Sequence, residues 1–277
     1  MTDAVNVENI AAEILFNGVA PERKEDLQRL WAEHGFHFAR VGDTGAFKME
    51  AGPFGIVEFT SQTTAQIWLL GYAAWCAIEA YGGLCWSLRA KGQSFDLSKM
   101  DLLPSETSAQ EKLEALPLEA RAFGQSDQTS NFAWPERVPV PGQTAFANKR
   151  EKAAYDLICF AAAYVFLHEM KHVMFRHPSE PRLSDHKEEM ACDLFAREFL
   201  LGHAAEYARD FGWNCDDVLR KRAIGILVAN FVFLAVTPMG LWWGSEKHPP
   251  LAKRLRQIIE VYICPETTIS GSYHQAC

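Results

Sequence analysis

Residues 166–175 read FLHEMKHVMF and set His168 and His172 four apart, with Glu169 beside the first. In an α-helix, residues four apart share a face one turn on, so both imidazoles can reach a single ion. Glu169 lies about 100° around the helix, close enough to take a proton from a metal-bound water. Zinc at a catalytic centre takes three protein ligands and leaves the fourth position to water, whose pKa it lowers to about 7. The chemistry predicted is hydrolysis by zinc-bound water that Glu169 activates. In a chain with nine histidines, H-E-x-x-H arises by chance in roughly a few per cent of cases. The reading therefore depends on a third ligand further along.

Three kinds of donor could supply it. His177 stands one residue short of the third histidine of the H-E-x-x-H-x-x-G-x-x-H pattern. Here Phe175 occupies the glycine position of that pattern and Pro178 the last histidine position. Cys192 is a possible thiolate ligand, or simply a buried apolar thiol. The stretch KEEMACDLFAREFLL carries Glu189 and Asp193 four apart. Glu189 can bind the metal while Asp193, one turn on, accepts a hydrogen bond from the other nitrogen of a liganding imidazole and fixes its tautomer. Glu188 is the neighbouring alternative, but the residue four further on is Cys192, so Glu189 is preferred. The bland reading is a solvated carboxylate pair on an amphipathic helix. The apolar residues Met190, Leu194 and Phe199 argue against it, because carboxylates near a packed face need a partner.

H-E-x-x-H followed by E-x-x-x-D resembles the signature of gluzincin metallopeptidases. HPPLAKRL at 248–255 resembles the H-P-P-L-x-x-R-L segment of the CAAX prenyl protease and HtpX types. The soluble phage-exclusion, Lit-type peptidases are the nearest neighbourhood. The resemblance covers about 165–255. It implies that His168, His172 and Glu189 bind zinc, that Glu169 is general base and proton donor, and that Asp193 orients a histidine. His248 would hydrogen-bond the developing oxyanion or the substrate backbone, and Arg254 would sit near the liganding carboxylate and hold it. Lys171 departs from relatives with a small residue there; it would face solvent or charge the rim of the site.

These residues need elements to carry them. A long helix from about Thr144 to Arg176 would present the first motif. A second helix, from about His186 to Leu201, would present the acids, with Asp185 and Glu188 placed like a capping box and Gly202 as its stop. Upstream, 21–35 reads as a short helix. FHFARV, AFKME and GIVEFT (36–41, 46–50 and 55–60) read as short strands between glycine and proline turns. Residues 61–90 read as a long apolar helix bent near Gly82 and Gly83, and 105–116 as another helix. The polar, proline-rich stretch 124–143 is a surface loop that could gate a cleft. The fold class expected is α+β: a mostly helical, zincin-like domain with a small antiparallel sheet in its N-terminal half. The chain reads as one domain, 1–277, with an α/β subregion at 1–143 and a helical catalytic subregion at 144–277.

Composition narrows the partners. A net charge of −8 with no basic stripe excludes nucleic acid. Seven scattered cysteines, none in C-x-x-C, read as reduced thiols, and the acidic start lacks a signal-like basic region; both suggest a cytoplasmic address. Residues 223–243 are apolar enough to span a bilayer, yet a span would carry His248 to the side opposite His168. A buried core helix is preferred, with peripheral membrane contact as the alternative. The function expected is a zinc endopeptidase cutting a specific protein or peptide, in regulation or phage defence. The rivals are a non-enzymatic module stapled by zinc and an ImmA-type peptidase that cuts a repressor.

Overall fold

The computed structural model describes residues 6–42, 47–90, 104–125, 132–142, 146–177 and 180–259. In chain order the elements are α1 (Val7–Val19), a 3-10 turn (Pro21–Arg23), α2 (Lys24–His34), β1 (His37–Val41), β2 (Met49–Ala51), β3 (Ile56–Thr60), α3 (Ser61–Ala90) and α4 (Pro104–Gly124). Then follow α5 (Lys149–Phe175), α6 (Asp185–Leu201), α7 (Ala204–Phe211), α8 (Cys215–Val236) and α9 (Leu251–Ile258). The fold is mostly helical, with its small sheet near the N-terminus.

Helix α5 is the axis of the structure. Asn148 caps it by accepting from the backbone N–H groups of Arg150 and Glu151, and Glu151 reaches back to the N–H of Ala147. The helix therefore begins later than Thr144, where the sequence pattern starts it. Its interior, from Ala154 through Leu157, Ile158, Ala161 and Val165 to Met170, is buried on nearly every side because α3, α6 and α8 pack around it. A helix apolar all round belongs in a core or a membrane. Among the described residues α5 alone is long and apolar enough to cross a bilayer, and 72% of its most apolar window is buried inside the protein. The segment 223–243 instead contributes the buried second half of α8, stops at Thr237 before Pro238, and exposes Met239, Leu241 and Trp243.

Glycines set how closely the neighbours approach. A Cβ on Gly71 of α3 would come within 2.8 Å of Ile158 Cγ1, and one on Gly225 of α8 would collide with the Cβ of Phe160. On the remaining side Phe166 meets the sheet edge-on, 5.4 Å from Phe38 and 5.3 Å from Phe59 between ring centroids. Residues two positions before His168 thus lock the helix to the strands.

The sheet has the order β1-β3-β2. β2 pairs antiparallel with β3, as expected, but β1 pairs parallel with β3, His37 opposite Ile56. The sheet is mixed, and β2 forms one edge, against α5. Strands of three to five residues show too little alternation for pairing sense to be read from sequence. Helices α1 and α7 also have no counterpart among the predicted elements. The buried Arg222 binds both carboxylate oxygens of Glu22, at 2.5 and 3.1 Å, and the Leu200 carbonyl, joining α8 to the N-terminal turn and the end of α6.

One described residue of the predicted gating loop, Pro139, lies toward the other end of α5. Trp68 of α3 donates to the Pro139 carbonyl and packs on Tyr155. Tyr155 sits roughly 20 Å along the helix axis from His168, at 1.5 Å per residue. Pro139 is therefore far from the H-E-x-x-H turn, whereas Phe132, at the start of the described stretch, packs on Phe123 with centroids 4.4 Å apart; 126–131 and 143 lie outside the described residues. Cys76, Cys159 and Cys192 are free thiols, as expected, whereas Cys215 is disulfide-bonded.

The packing of α8 on α5 is testable. Alanine at 225 would gain up to about 1 kcal/mol of helix propensity, but overpacking costs about 1–3 kcal/mol. The colliding atom moves only with the α5 backbone, so the second effect wins. Gly225→Ala is expected to lower the urea midpoint at unchanged m-value, a loss of roughly 1–2 kcal/mol. A variant as stable as the parent would contradict this packing.

Candidate metal centre

The last turns of α5 present His168 and His172 to α6. Their Nε2 atoms lie 3.2 Å apart. Both face the buried Glu189: Nε2 of His168 is 3.4 Å from Oε2, and Nε2 of His172 is 3.3 Å from Oε1. The opposite nitrogens are held as well. His168 Nδ1 lies 3.0 Å from Asp193 Oδ1, and His172 Nδ1 lies 2.7 Å from Glu188 Oε1. An ionised carboxylate only accepts, so each Nδ1 carries a proton and donates. In the neutral rings each Nε2 is then a bare lone pair. Two lone pairs and a carboxylate directed at one point repel unless a cation stands between them. This donor set fits a metal ion.

In metal-stripped protein, protons take that place. Burial pushes His168 down, but its bonds to Asp193 and Glu189 prevail and carry it up to about 9. Burial likewise lowers His172, and Glu189 outweighs it to give a net rise. Burial raises Glu189, yet bonds from His168, His172 and His248 hold it well below the usual carboxylate range.

Cys192 is also within reach. Its Sγ and one nitrogen each of His168 and His172 all lie within 4.8 Å of one another. Burial first, and then the nearby Glu189 and Glu169, push that thiol far up. A liganding cysteine must lose its proton. Without an ion Glu189 is ionised and Cys192 is not, but a bound metal itself deprotonates a coordinating thiol, so both stand as third-donor candidates.

Behind the histidines lies a buried charge network. Asp193 Oδ1 accepts from Tyr164 Oη at 2.8 Å. Arg254 of α9 donates Nε to Oδ2 at 2.7 Å and Nη2 to Oδ1, while its guanidinium lies 4.9 Å from the Phe233 ring centre. Arg254 was expected to hold Glu189; its fork meets Asp193, one turn deeper on α6, instead. Burial raises Asp193, but Arg254 and His168 draw it far below its ordinary value.

Glu169 turns away from α6. Its Oε2 accepts from the Ala51 N–H on β2 at 2.9 Å, and Arg176 donates to the Ala51 carbonyl at 2.5 Å. Burial pushes the Glu169 carboxyl up despite the opposing charges of His168 and His172. The exposed His248 lies with Nδ1 3.2 Å from Glu189 Oε1. Its loop is tied down by Ser245, whose N–H donates to the His248 carbonyl and whose carbonyl lies 2.7 Å from His186 Nε2 on the first turn of α6.

Other sequence candidates fall elsewhere. His177 packs its ring toward His34 at the end of α5, centroids 6.2 Å apart. Lys171 neither faces open solvent nor lines the site: its ammonium sits 4.4 Å over the Phe175 ring. The capping box does not form. Ser184 is the N-cap of α6 and makes no side-chain bond, and Glu188 spends its carboxylate on His172. The doubled acid at 188–189 was the available signal, since adjacent helical residues differ by about 100° and can approach one imidazole from two sides.

A family model described as Peptidase U49 matches residues 57–274. The chain belongs to this family. As a U49 peptidase it is a hydrolase acting on protein. It is 23% identical over 248 residues to the "Cell death peptidase" of Escherichia coli (strain K12), covering 88% of this chain and 77% of that protein. No solved structure matches.

Two measurements test the centre of this U49 peptidase. A metal ion must displace the His168 proton, so titrating metal-stripped protein with Zn2+ at pH 7 is expected to release at least about one proton. Apparent affinity should rise with pH toward about 9; proton-neutral uptake would contradict the assigned protonation. Separately, Asp193→Ala leaves Arg254 buried without its carboxylate. We expect a loss of about 3–5 kcal/mol in denaturant unfolding, and a loss below about 1 kcal/mol, the range of an exposed pair, would contradict a buried network.

Proposed function

We propose that this U49 peptidase is a zinc-dependent endopeptidase that cuts a specific protein. The observation carrying the reading is the convergence of two imidazole Nε2 atoms and the Glu189 carboxylate, 3.2–3.4 Å apart, with a half-buried carboxylate beside His168 at Glu169. On this reading His168, His172 and Glu189 hold the ion. Once bound, zinc supplies Lewis-acid polarisation of the scissile carbonyl and lowers the pKa of water to about 7.

The remaining steps belong to the chain. Glu169 takes the proton of the attacking water and passes it to the leaving nitrogen; a carboxyl shifted upward by burial suits both roles. Ala51 N–H aims that carboxyl. β2 is an edge strand beside the site, but Ala51 already gives its N–H to Glu169 and its carbonyl to Arg176, so an extended substrate segment lying along it would displace these bonds as it carried its carbonyl past Glu169. His248, exposed and 3.2 Å from Glu189, would donate to the carbonyl oxygen as negative charge develops there. Asp193, Tyr164 and Arg254 hold His168 in place. A centre that merely stapled α5 to α6 would have no use for a carboxylate held beside it at 169 by the Ala51 N–H. Similarity to a cell death peptidase supports a regulatory or defence role with one protein target over general digestion.

The decisive pair of variants is Glu169→Gln and His172→Ala. Elemental analysis should find about one zinc per chain in the parent and in Glu169→Gln, and little in His172→Ala. Peptide-bond cleavage should fall by about 10²–10⁴-fold in Glu169→Gln. Full activity in that variant would defeat the endopeptidase mechanism.

A further inference from the structure

The two imidazoles are held by different kinds of carboxylate. Asp193, behind His168, is buried and shares its charge with Arg254 and Tyr164. Glu188, behind His172, is about one-third exposed, and among the described residues no lysine or arginine pairs with it. It lies in the first turn of α6, where the helix dipole favours a negative charge. Its Oε1 sits 2.7 Å from His172 Nδ1, closer than the 3.0 Å between His168 Nδ1 and Asp193. Glu189, the next residue, faces the opposite nitrogen of the same ring at 3.3 Å. One turn of α6 therefore takes hold of the His172 imidazole from both sides.

The geometry points to Glu188 as a positioning residue for the metal. It fixes His172 with its proton on Nδ1 and its Nε2 lone pair directed at Glu189 and His168, and its charge strengthens that nitrogen as a donor. Because Asp193 is neutralised by Arg254 and Glu188 is not, Glu188 contributes more of its charge to its ring. This deepens the zinc reading above and rests on it.

The test uses the full-length protein, stripped of metal, with Zn2+ affinity read by competition against a chromophoric chelator; no substrate is needed. Glu188→Ala is expected to weaken Zn2+ binding by about 10- to 100-fold. Glu188→Gln, which keeps an acceptor but loses the charge, should recover part of that loss while staying weaker than the parent. Thermal melting of the metal-stripped proteins should stay cooperative with only the small downward shift that losing one partly exposed hydrogen bond brings, so that weaker Zn2+ binding cannot be ascribed to unfolding. If either variant bound Zn2+ as tightly as the parent, Glu188 would be an ordinary solvated helix acid and the inference would fall. If parent and His172→Ala alike took up no Zn2+, the zinc reading itself would fail, and this inference with it; the two failures are therefore distinguishable.

Discussion

The Asp193 carboxylate is the interaction on which the arrangement depends. It is buried, and it receives Tyr164 and His168 from α5 and the fork of Arg254 from α9 while itself belonging to α6. An unpaired charge in that position would be costly, and a pair with poor geometry would not offset its own desolvation. The solution here is a bidentate guanidinium plus two further donors, which nearly exhausts the carboxylate's accepting capacity. Three separate helices, the consecutive α5 and α6 and the distant α9, must converge for this to happen. When they do, the His168 ring has its Nδ1 proton claimed and its Nε2 free to face Glu189.

The rest of the fold keeps α5 where that convergence needs it. Gly71 and Gly225 let α3 and α8 approach the helix backbone, and Phe166 pins it to the sheet. The same contact brings β2 beside the helix, so Ala51 meets Glu169. Glu169 and the two histidines thus leave α5 in different directions, the histidines toward α6 and Glu169 toward the sheet edge. On the proposed reading, what would hold the metal is thus separate from what would handle the proton.

Much of this was legible in the sequence because helical periodicity is strict. Four-residue spacing put His168 with His172 and Glu189 with Asp193, and the two helices formed within a few residues of their expected bounds. Less was legible where a contact depends on how elements pack. Arg254 was expected at Glu189 and met Asp193, since nothing in HPPLAKRL states how deep α9 sits. Glu188 read as a capping residue because its spacing from Asp185 fits that motif equally well; only the approach of α6 to α5 assigns it to His172. The parallel β1–β3 pairing was hidden by strand length, and the grip of Gly71 and Gly225 on α5 by the ambiguity of glycine in a helix, which reads as a flaw until its neighbour is known.

The choice of third donor is where chemistry and proximity diverge. Cys192 and Glu189 both come within reach of the imidazoles, but one is a thiol held protonated by burial and adjacent acids and the other a carboxylate held ionised. X-ray absorption at the zinc edge of the loaded protein separates them directly, because zinc–oxygen and zinc–nitrogen bonds are about 2.0–2.2 Å and zinc–sulfur bonds about 2.3 Å. The account predicts a shell of nitrogen and oxygen with two imidazoles and no sulfur. A sulfur scatterer at the longer distance would move the third ligand from Glu189 to Cys192 and contradict the centre described.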